Sequence, residues 1–257
     1  MTRVVSGVVL IVIAVGIVWL APGWLFLAVA ELLLVLAFVE YARLAEAVAT
    51  PIPVVPAGAA TVVASISVGY EVGAALMAGF VMLGALSLVM WRGAEAALPR
   101  ASTAAFPMLY LGLPIGAMIA LRAQHGREAL FLLMLTVMVS DTAQYYSGRA
   151  FGKRLLAPVI SPKKTIEGAI GGFVFGAVTL VVAGAWWLPN LHVAFRALLG
   201  VALVALGIAG DLFESMLKRS AGVKDSSALI PGHGGVLDRI DALLFAAPVY
   251  YIVVKYV

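Results

Sequence analysis

The chain has 257 residues, of which 63% are hydrophobic and only 12% are charged. Soluble domains average about 25% charged residues, so this composition excludes a water-soluble globular fold and predicts an integral membrane protein. There is no cysteine, which excludes disulfides, thiolate metal ligands and a thiol nucleophile. The net charge is +4, and in a membrane protein such an excess of Lys and Arg is typical of the cytoplasmic loops. Because the sequence contains no nucleic-acid recognition motif, we predict no nucleic-acid partner.

Apolar runs recur along the whole chain. A membrane-spanning helix needs about 20 apolar residues, and we count about nine candidate runs. They lie at Val4–Trp19, Trp24–Val39, Ile52–Val68, Val72–Trp91, Ala104–Leu121, Ala129–Tyr146, Ile166–Leu188, Ala197–Phe213 and Ile240–Tyr256. No polar stretch between them is long enough for a soluble domain. The pattern predicts one all-α, polytopic membrane domain over residues 1–257, with lipid-facing scaffold helices in 1–128 and the catalytic helices in 129–257.

The distribution of Lys and Arg predicts the orientation. With nine spans and a cytoplasmic N-terminus, 13 of the 17 Lys and Arg residues face the cytoplasm, as the positive-inside rule requires. Only Gly69–Glu71 separates the third and fourth runs. Merging these runs would move the basic loop after Tyr146 to the outside, so we predict nine spans with the N-terminus inside.

Acidic residues are distributed unevenly. All five aspartates lie in the C-terminal half, on or next to predicted cytoplasmic loops. In the N-terminal half, Glu31 and Glu40 lie on the second span, where a carboxyl group costs a few kcal/mol, about 2.5–3.5 on insertion scales. We favour a structural pairing of Glu31 with a basic residue over a role in a site, and assign no role to Glu40.

The stretch from Gly210 to Asp241 is the most informative. Asp211, Ser215 and Lys218 share one helical face, and Asp238 and Asp241 share another. Clustered carboxylates suit Mg²⁺, which takes one or two of them and completes its shell with water and phosphate oxygens. We therefore predict Asp211, Asp238 and Asp241 as metal ligands. Structural ion pairs with the neighbouring basic residues Lys218, Arg219 and Arg239 are the alternative.

The Gly-rich segment Pro231–Gly235 lies between these carboxylates. Its backbone N–H groups can approach an anion closely, and the N-terminus of the following helix favours negative charge. A nucleotide phosphate would fit there, close to Gly234 and Gly235, and His233 could hydrogen-bond it or transfer a proton. A Gly-rich turn that merely connects two elements is the alternative.

A second stretch runs from Ser140 to Gly176. The Ser–Pro pair predicts a helix start, with Ser161 as N-cap and Pro162 at the first position. Lys163 and Lys164 would then lie on a first helical turn and form an anion site, unless they only anchor the chain to lipid head groups. The glycines Gly168, Gly172 and Gly176 recur every four residues, which predicts a close helix-packing face.

These motifs resemble those of the phosphatidate cytidylyltransferase (CDP-diacylglycerol synthase) family. The resemblance rests on Ser215-x-x-Lys218-Arg219, Lys224-Asp225 and Pro231-Gly-His233-Gly-Gly-x-x-Asp238-Arg239-x-Asp241, about a dozen positions within 27 residues. Upstream, Asp141-Thr142, Gly148-Arg149, Phe151-Gly152 and Ser161-Pro-Lys-Lys-Thr165-x-Glu167-Gly168 also match. Two residues depart from the pattern: Gln144 stands where a small or apolar residue is expected, and Ser227 where Gly is common.

The resemblance implies that CTP and phosphatidate react to give CDP-diacylglycerol and pyrophosphate, with Mg²⁺ as the cofactor. It implies a multi-pass protein of the cell inner (plasma) membrane with its active site facing the cytoplasm. Membrane lipids are then partners, and a homodimer stays open. Asp141 becomes a further metal ligand. The implied catalytic residues are Lys218, Arg219, Lys224, His233 and Arg239, and the implied substrate-binding residues are Ser161, Lys163, Lys164, Thr165, Ser215, Asp225, Gly234 and Gly235.

Two other classes compete with this interpretation. A related membrane enzyme, either a CTP-dependent lipid kinase or an ether-lipid cytidylyltransferase, would share the nucleotide and metal groups and differ in its lipid groove. An ion-coupled secondary transporter would place its charges near the membrane midplane and show repeated halves. The charges here lie at predicted cytoplasmic helix ends, which disfavours the transporter.

Overall fold

A computed structural model describes residues 2–70, 73, 77, 79, 81, 83–85, 88, 97–230, 232 and 234–256. Most of them are helical, as a chain in lipid requires, because a helix satisfies its own backbone hydrogen bonds. The elements are α1 (Thr2–Leu20), α2 (Gly23–Ala47), α3 (Val54–Ser67), α4 (Ala97–Pro107), a π-helical segment (Met108–Gly112), α5 (Leu113–His125), α6 (Arg127–Phe151), β1 (Leu155–Ala157), β2 (Ser161–Thr165), α7 (Ile166–Trp187), α8 (Val193–Ser220) and α9 (Leu237–Tyr256).

Five stretches of helix are long and apolar enough to cross a membrane, and two shorter apolar helices, Gly7–Leu20 and Val54–Ser67, accompany them. The five are Gly23–Ala47, Leu98–His125, Arg127–Phe151, Ile166–Trp187 and Val193–Ser220. The predicted all-α, multi-pass membrane fold is therefore confirmed. Much of the predicted fourth run, Val72–Trp91, lies outside the described residues, so the count of nine spans stays a prediction.

The chain divides into two compact units. The first comprises Met1–Ala120 and Leu217–Ile240, and the second comprises Leu121–Met216 and Asp241–Val257. The C-terminal segment that carries most of the family motif thus belongs to the same unit as the N-terminal helices. No observation tests the predicted division between residues 128 and 129, which stays a prediction.

In the first unit, polar side chains join α2 to its neighbours. The Ser65 hydroxyl of α3 donates to Glu31 Oε1 at 2.8 Å, and the Tyr41 hydroxyl donates to the Thr103 carbonyl at 3.0 Å. Such hydrogen bonds are favoured between helices that lie in lipid. Among the residues that the structure describes, Glu31 is therefore paired through a serine hydroxyl, and the basic partner expected from the sequence stays a prediction.

In the second unit, α6 and α7 pack closely along the predicted glycine face. A Cβ atom at Gly172 would lie 2.5 Å from Gln144 Cγ, and one at Gly168 would lie 2.8 Å from the Gln144 carbonyl oxygen. Only glycine allows this approach, so the prediction of a packing face is confirmed. Gln144, one of the two residues that depart from the family pattern, lies in this contact.

The basic stretch after α6 corrects one prediction. Ser161 does not cap a helix: Ser161–Thr165 forms strand β2, which pairs antiparallel with β1, and α7 begins at Ile166. Thr165 is the N-cap, with its Oγ1 accepting a hydrogen bond from the Gly168 N–H at 3.1 Å. A Ser–Pro pair fits a helix start, but Thr165 offers the same cap four residues later and leaves the preceding residues free to form the hairpin.

Candidate active site

An aspartate cluster forms in the second unit from α6, β2, α8 and α9. It comprises Asp141, Lys164, Asp211 and Asp241. Lys164 Nζ lies 2.7 Å from Asp211 Oδ2, and the charges of Asp211, Asp141 and Lys164 all act on Asp241. Three carboxyl groups lie with one ammonium group, so acidic side chains outnumber basic ones in the cluster, and such a group attracts a cation. The structure therefore brings together three of the four predicted metal ligands.

The hairpin gives the two predicted anion-binding lysines different surroundings. Side chains alternate between the two faces of a strand, and on β2 Lys163 is exposed whereas only 19% of the Lys164 side chain is exposed. The expectation that both lie on one helical turn was wrong, because the residues form a strand. Lys164 alone of the two reaches the aspartate cluster.

A close approach between α8 and α9 positions Asp211 near Asp241. A Cβ atom at Gly210 would collide with the carbonyl oxygen of Asp241, so glycine is required there. One turn beyond Asp211 on α8, the Ser215 hydroxyl faces Asp211 Oδ1 at 3.4 Å, and on α6 Gln144 Nε2 donates to Asp141 Oδ1 at 3.0 Å. These polar neighbours orient two of the carboxylates.

Asp238, the fourth predicted metal ligand, belongs to the first unit and has its own set of donors. Its Oδ2 accepts hydrogen bonds from the Ser226 N–H at 2.9 Å, the Ser226 hydroxyl at 2.7 Å and the Gly235 N–H at 2.8 Å. Its Oδ1 pairs with Lys218 Nζ. The structural ion pair left open by the sequence is thus found here, and the role of Asp238 as a metal ligand stays a prediction.

These donors keep Asp238 ionised. Only 5% of its side chain is exposed, and it precedes the apolar run that begins at Ile240. Burial by itself raises the pKa of this carboxyl group, but the hydrogen bonds from Lys218, Gly235 and Ser226 outweigh burial and bring the pKa down to about 2. Asp238 is therefore a carboxylate at neutral pH, held by backbone N–H groups of Ser226 and Gly235.

The loop from Ser226 to Leu237, the signature loop, contains the predicted phosphate-binding glycines. Gly234 has a φ of +79°, in the left-handed region that favours glycine, and its carbonyl accepts a hydrogen bond from the Ile230 N–H at 2.9 Å. The Gly235 N–H donates to Asp238. His233 lies outside the described residues, so its predicted role, like the binding of phosphate by these glycines, stays a prediction.

The charged residues predicted to act in catalysis or substrate binding differ in their exposure. Lys218 is buried, with 8% of its surface exposed, whereas Arg219, Lys224, Asp225 and Arg239 are exposed. Arg219 Nη1 donates to the Val223 carbonyl at 3.1 Å. No observation tests the catalytic and substrate-binding roles predicted for these residues.

The predicted metal has a compatible set of donors. Among the residues that the structure describes, no group of three or more His, Asp or Glu side chains is arranged to hold a metal ion by itself. Mg²⁺ does not require such a group, because one or two carboxylates, water and substrate phosphate oxygens complete its shell. Asp211 and Asp241 in the aspartate cluster meet that requirement.

Within the first unit, Glu40 and Ser226 belong to the surroundings of Asp238, and the sequence analysis assigned neither of them a role. Glu40 is 3% exposed, and its carboxylate lies among donors from the signature loop. The available signal was a charged residue within an apolar helix, which is costly and is retained for a reason. The sequence did not reveal its partners because they lie between 186 and 197 residues further along the chain.

Together, the helices and charged clusters define a polytopic membrane protein that gathers carboxylates and lysines near the ends of apolar helices. Comparison with known proteins identifies the family. The model of the cytidylyltransferase family matches residues 1–257. The chain therefore belongs to the cytidylyltransferase family and is an enzyme of this type, as the sequence motifs predicted.

Several relatives are described as phosphatidate cytidylyltransferases. The protein of Pseudomonas aeruginosa is 38% identical over 262 residues, covering 96% of this chain and 94% of that protein. The protein of Helicobacter pylori strain J99 is 36% identical over 248 residues, covering 96% and 88%. The protein of Haemophilus influenzae is 47% identical over 130 residues, and that alignment spans about half of each sequence, 49% of this chain and 45% of the relative.

Proposed function

We propose that this protein transfers the cytidylyl group of CTP to phosphatidate, giving CDP-diacylglycerol and pyrophosphate. The names of relatives that align with almost the whole chain support this activity. The observation that carries the proposal is the aspartate cluster, in which Lys164 lies 2.7 Å from Asp211 beside Asp141 and Asp241. Carboxylates and a lysine in one place are what a nucleotide triphosphate and its cation require.

The reaction needs no protein nucleophile. An oxygen of the phosphatidate phosphate attacks the α-phosphorus of CTP, and the bond from that phosphorus to the oxygen that bridges the α- and β-phosphates breaks as pyrophosphate leaves. The protein has to hold the two phosphates in line and stabilise negative charge on the leaving group. Lys164 is half-buried and supplies a cation for phosphate oxygens. The absence of cysteine is compatible with this chemistry.

Asp211 and Asp241 would hold Mg²⁺, with Asp141 as a further ligand. When bound, the ion would polarise phosphate oxygens and neutralise developing charge. Lys164 can then interact with two groups. It contacts Asp211, and its positive charge attracts substrate phosphate. The carboxylates also orient the lysine, and Ser215 and Gln144 hold two of those carboxylates in place.

The site is proposed to face the cytoplasm from the inner membrane. Phosphatidate keeps its phosphate at the bilayer interface while CTP is dissolved in the cytosol, so the two meet only at that boundary. The positive-inside rule, applied to nine spans, assigns the basic hairpin beside the aspartate cluster to the cytoplasmic side.

The proposed reaction can be tested by following which phosphorus atom of CTP is transferred to the lipid. The purified protein in detergent micelles is incubated with phosphatidate, Mg²⁺ and CTP labelled on either the α- or the γ-phosphorus, and the lipids are separated by thin-layer chromatography. We expect the α-label in a lipid that co-migrates with CDP-diacylglycerol and the γ-label in pyrophosphate. An Asp211→Asn variant and a sample containing EDTA should lose the α-labelled lipid.

The other outcomes contradict the proposal in different ways. Transfer of the γ-label to an added lipid alcohol, with no α-labelled lipid, would identify a CTP-dependent lipid kinase. Labelling that persists in EDTA would refute the role of the divalent cation. Labelling in Asp211→Asn at the wild-type rate would refute the assignment of the aspartate cluster.

A further inference from the structure

The Glu40 carboxylate binds both ends of the signature loop. Its Oε1 accepts hydrogen bonds from the Ser227 hydroxyl at 2.7 Å and the Val236 N–H at 3.0 Å. Its Oε2 accepts from the Leu237 N–H at 2.8 Å and lies 3.0 Å from the Ser226 hydroxyl, whose single proton it shares with Asp238. Glu40 is 3% exposed, and in such a water-excluded environment a hydrogen bond is electrostatically stronger than in water. One side chain of α2 therefore closes this loop.

The loop in turn surrounds Asp238. Ser226 contacts Glu40 through its hydroxyl and donates its N–H to Asp238, and Gly235 donates its N–H to the same Asp238 oxygen. A Cβ atom at Gly235 would overlap the Ser226 hydroxyl and both carboxylate oxygens of Glu40. The loop backbone thus lies directly against the Glu40 carboxylate, and a shift of that carboxylate moves the donors of Asp238.

We infer that Glu40 is a positioning residue for the cytidylyltransferase reaction. It acts through the signature loop, which it fixes so that the pair of Asp238 and Lys218 has one geometry. This inference rests on the proposed function, since a positioning role requires a reaction at the loop. A buried carboxylate placed only to connect helices would not need four donors from a single loop.

Replacing Glu40 with glutamine changes the hydrogen bonding of the side chain but leaves its size and packing nearly unchanged. Glu40→Gln keeps the volume of the side chain but replaces one acceptor oxygen with an NH₂ donor. Whichever way the amide lies, its NH₂ group faces the backbone N–H of either Val236 or Leu237, and two donors cannot bond. The hydroxyls of Ser226 and Ser227 can rotate to accept, but a backbone N–H cannot. One of the two adjacent backbone N–H contacts at the C-terminal end of the loop is therefore lost without a cavity being created.

The experiment compares Glu40→Gln with two matched changes on the same helix. Glu46 is exposed and Glu31 is hydrogen-bonded to Ser65, so Glu46→Gln and Glu31→Gln make the same chemical change away from the loop. We measure kcat and KM for CTP and phosphatidate, the melting temperature in detergent, and hydrogen exchange at the amides of Val236 and Leu237.

For Glu40→Gln we expect kcat to fall about 10- to 100-fold, the factor that corresponds to a buried N–H group left without an acceptor. KM should change much less, and exchange at one of the two amides should become at least tenfold faster. Glu46→Gln and Glu31→Gln should retain kcat within about threefold of the wild type, as expected for changes outside such a network.

Three results would overturn the inference: wild-type kcat in Glu40→Gln, a loss of activity no larger than the loss of folded protein, or an equal loss in Glu31→Gln. If the wild-type protein itself forms no CDP-diacylglycerol, the proposed function fails first. In that case faster amide exchange in Glu40→Gln still establishes the structural contact, so the two failures are distinguishable.

Discussion

The Ser226 hydroxyl lies 2.7 Å from Asp238 Oδ2, and the N–H of the same serine donates to that oxygen at 2.9 Å. The hydroxyl also lies 3.0 Å from Glu40 Oε2. A hydroxyl group has a single proton, so it can donate to only one of these carboxylates at a time. Ser226 thereby couples a carboxylate of the N-terminal helices to an aspartate of the family motif.

Ser226→Ala should weaken this coupling without removing it. The variant loses the shared hydroxyl, but its N–H still donates to Asp238 and the other donors to Glu40 remain. We expect a loss of about 0.5–1.5 kcal/mol, equivalent to a roughly two- to tenfold fall in kcat. Turnover and melting temperature are compared with Ser220→Ala, since Ser220 is exposed and donates only to the nearby Leu217 carbonyl. Equal effects in both variants would contradict the coupling.

Lys164 and Lys163 should behave differently although they are neighbours in sequence. Lys164→Ala removes the cation that contacts Asp211, so we expect kcat/KM to fall about tenfold or more, as for other charge-assisted contacts. Lys163→Ala changes an exposed residue of the same strand and should stay within about threefold, as most surface changes do. Steady-state kinetics with CTP varied at fixed phosphatidate checks this, and similar effects of the two changes would contradict the strand geometry.

The difference between these lysines shows what sequence patterns can and cannot predict. Apolar runs predicted the helices well, because lipid forces a chain to satisfy its backbone within each helix. The glycines at 168 and 172 were interpreted correctly because a four-residue spacing has one common structural meaning. The segment Ser161–Thr165 was misinterpreted, since a Ser–Pro start and a Thr cap were both available, and only the pairing of β2 with β1 selects the second.

The candidate site was predictable where its residues are close in sequence. Asp238 and Asp241 share a helix, and Asp211 lies on the preceding one, so spacing alone suggested a cluster. The partner of Lys218 could not be derived, because a charge pattern does not distinguish a metal ligand from an ion pair. The role inferred for Glu40 depends on contacts with residues nearly 200 positions further along the chain. No local sequence pattern indicates such contacts.

Thr165→Val should destabilise the start of α7. Valine has nearly the same shape but cannot accept the hydrogen bond from the Gly168 N–H, which is 3.1 Å from Thr165 Oγ1. Loss of an N-cap costs about 1 kcal/mol, which appears as a lower melting temperature in detergent. Thr165→Ser keeps the acceptor and should remain close to the wild type. If Thr165→Val and Thr165→Ser melt together, Thr165 is not the cap.

Gly235→Ala tests the contact between the signature loop and Glu40 most directly. The added Cβ atom would overlap the Glu40 carboxylate and the Ser226 hydroxyl, so the loop must move and both stability and kcat should decrease. Gly23→Ala is the control, because nothing lies within 4 Å of a Cβ atom at Gly23. If Gly235→Ala simply failed to fold, the result would not show which contact was lost. Gly235→Ala is therefore also made in a protein that carries Glu40→Ala.

In that background Glu40→Ala removes the carboxylate with which the alanine collides. Gly235→Ala should then cost less than it does in the wild-type protein, with a coupling energy of about 0.5–3 kcal/mol between the two positions. The coupling is obtained from the melting of the two single variants, the double variant and the wild type. Additive effects would show that Gly235 and Glu40 do not contact each other, and the positioning role of Glu40 would then have no structural basis.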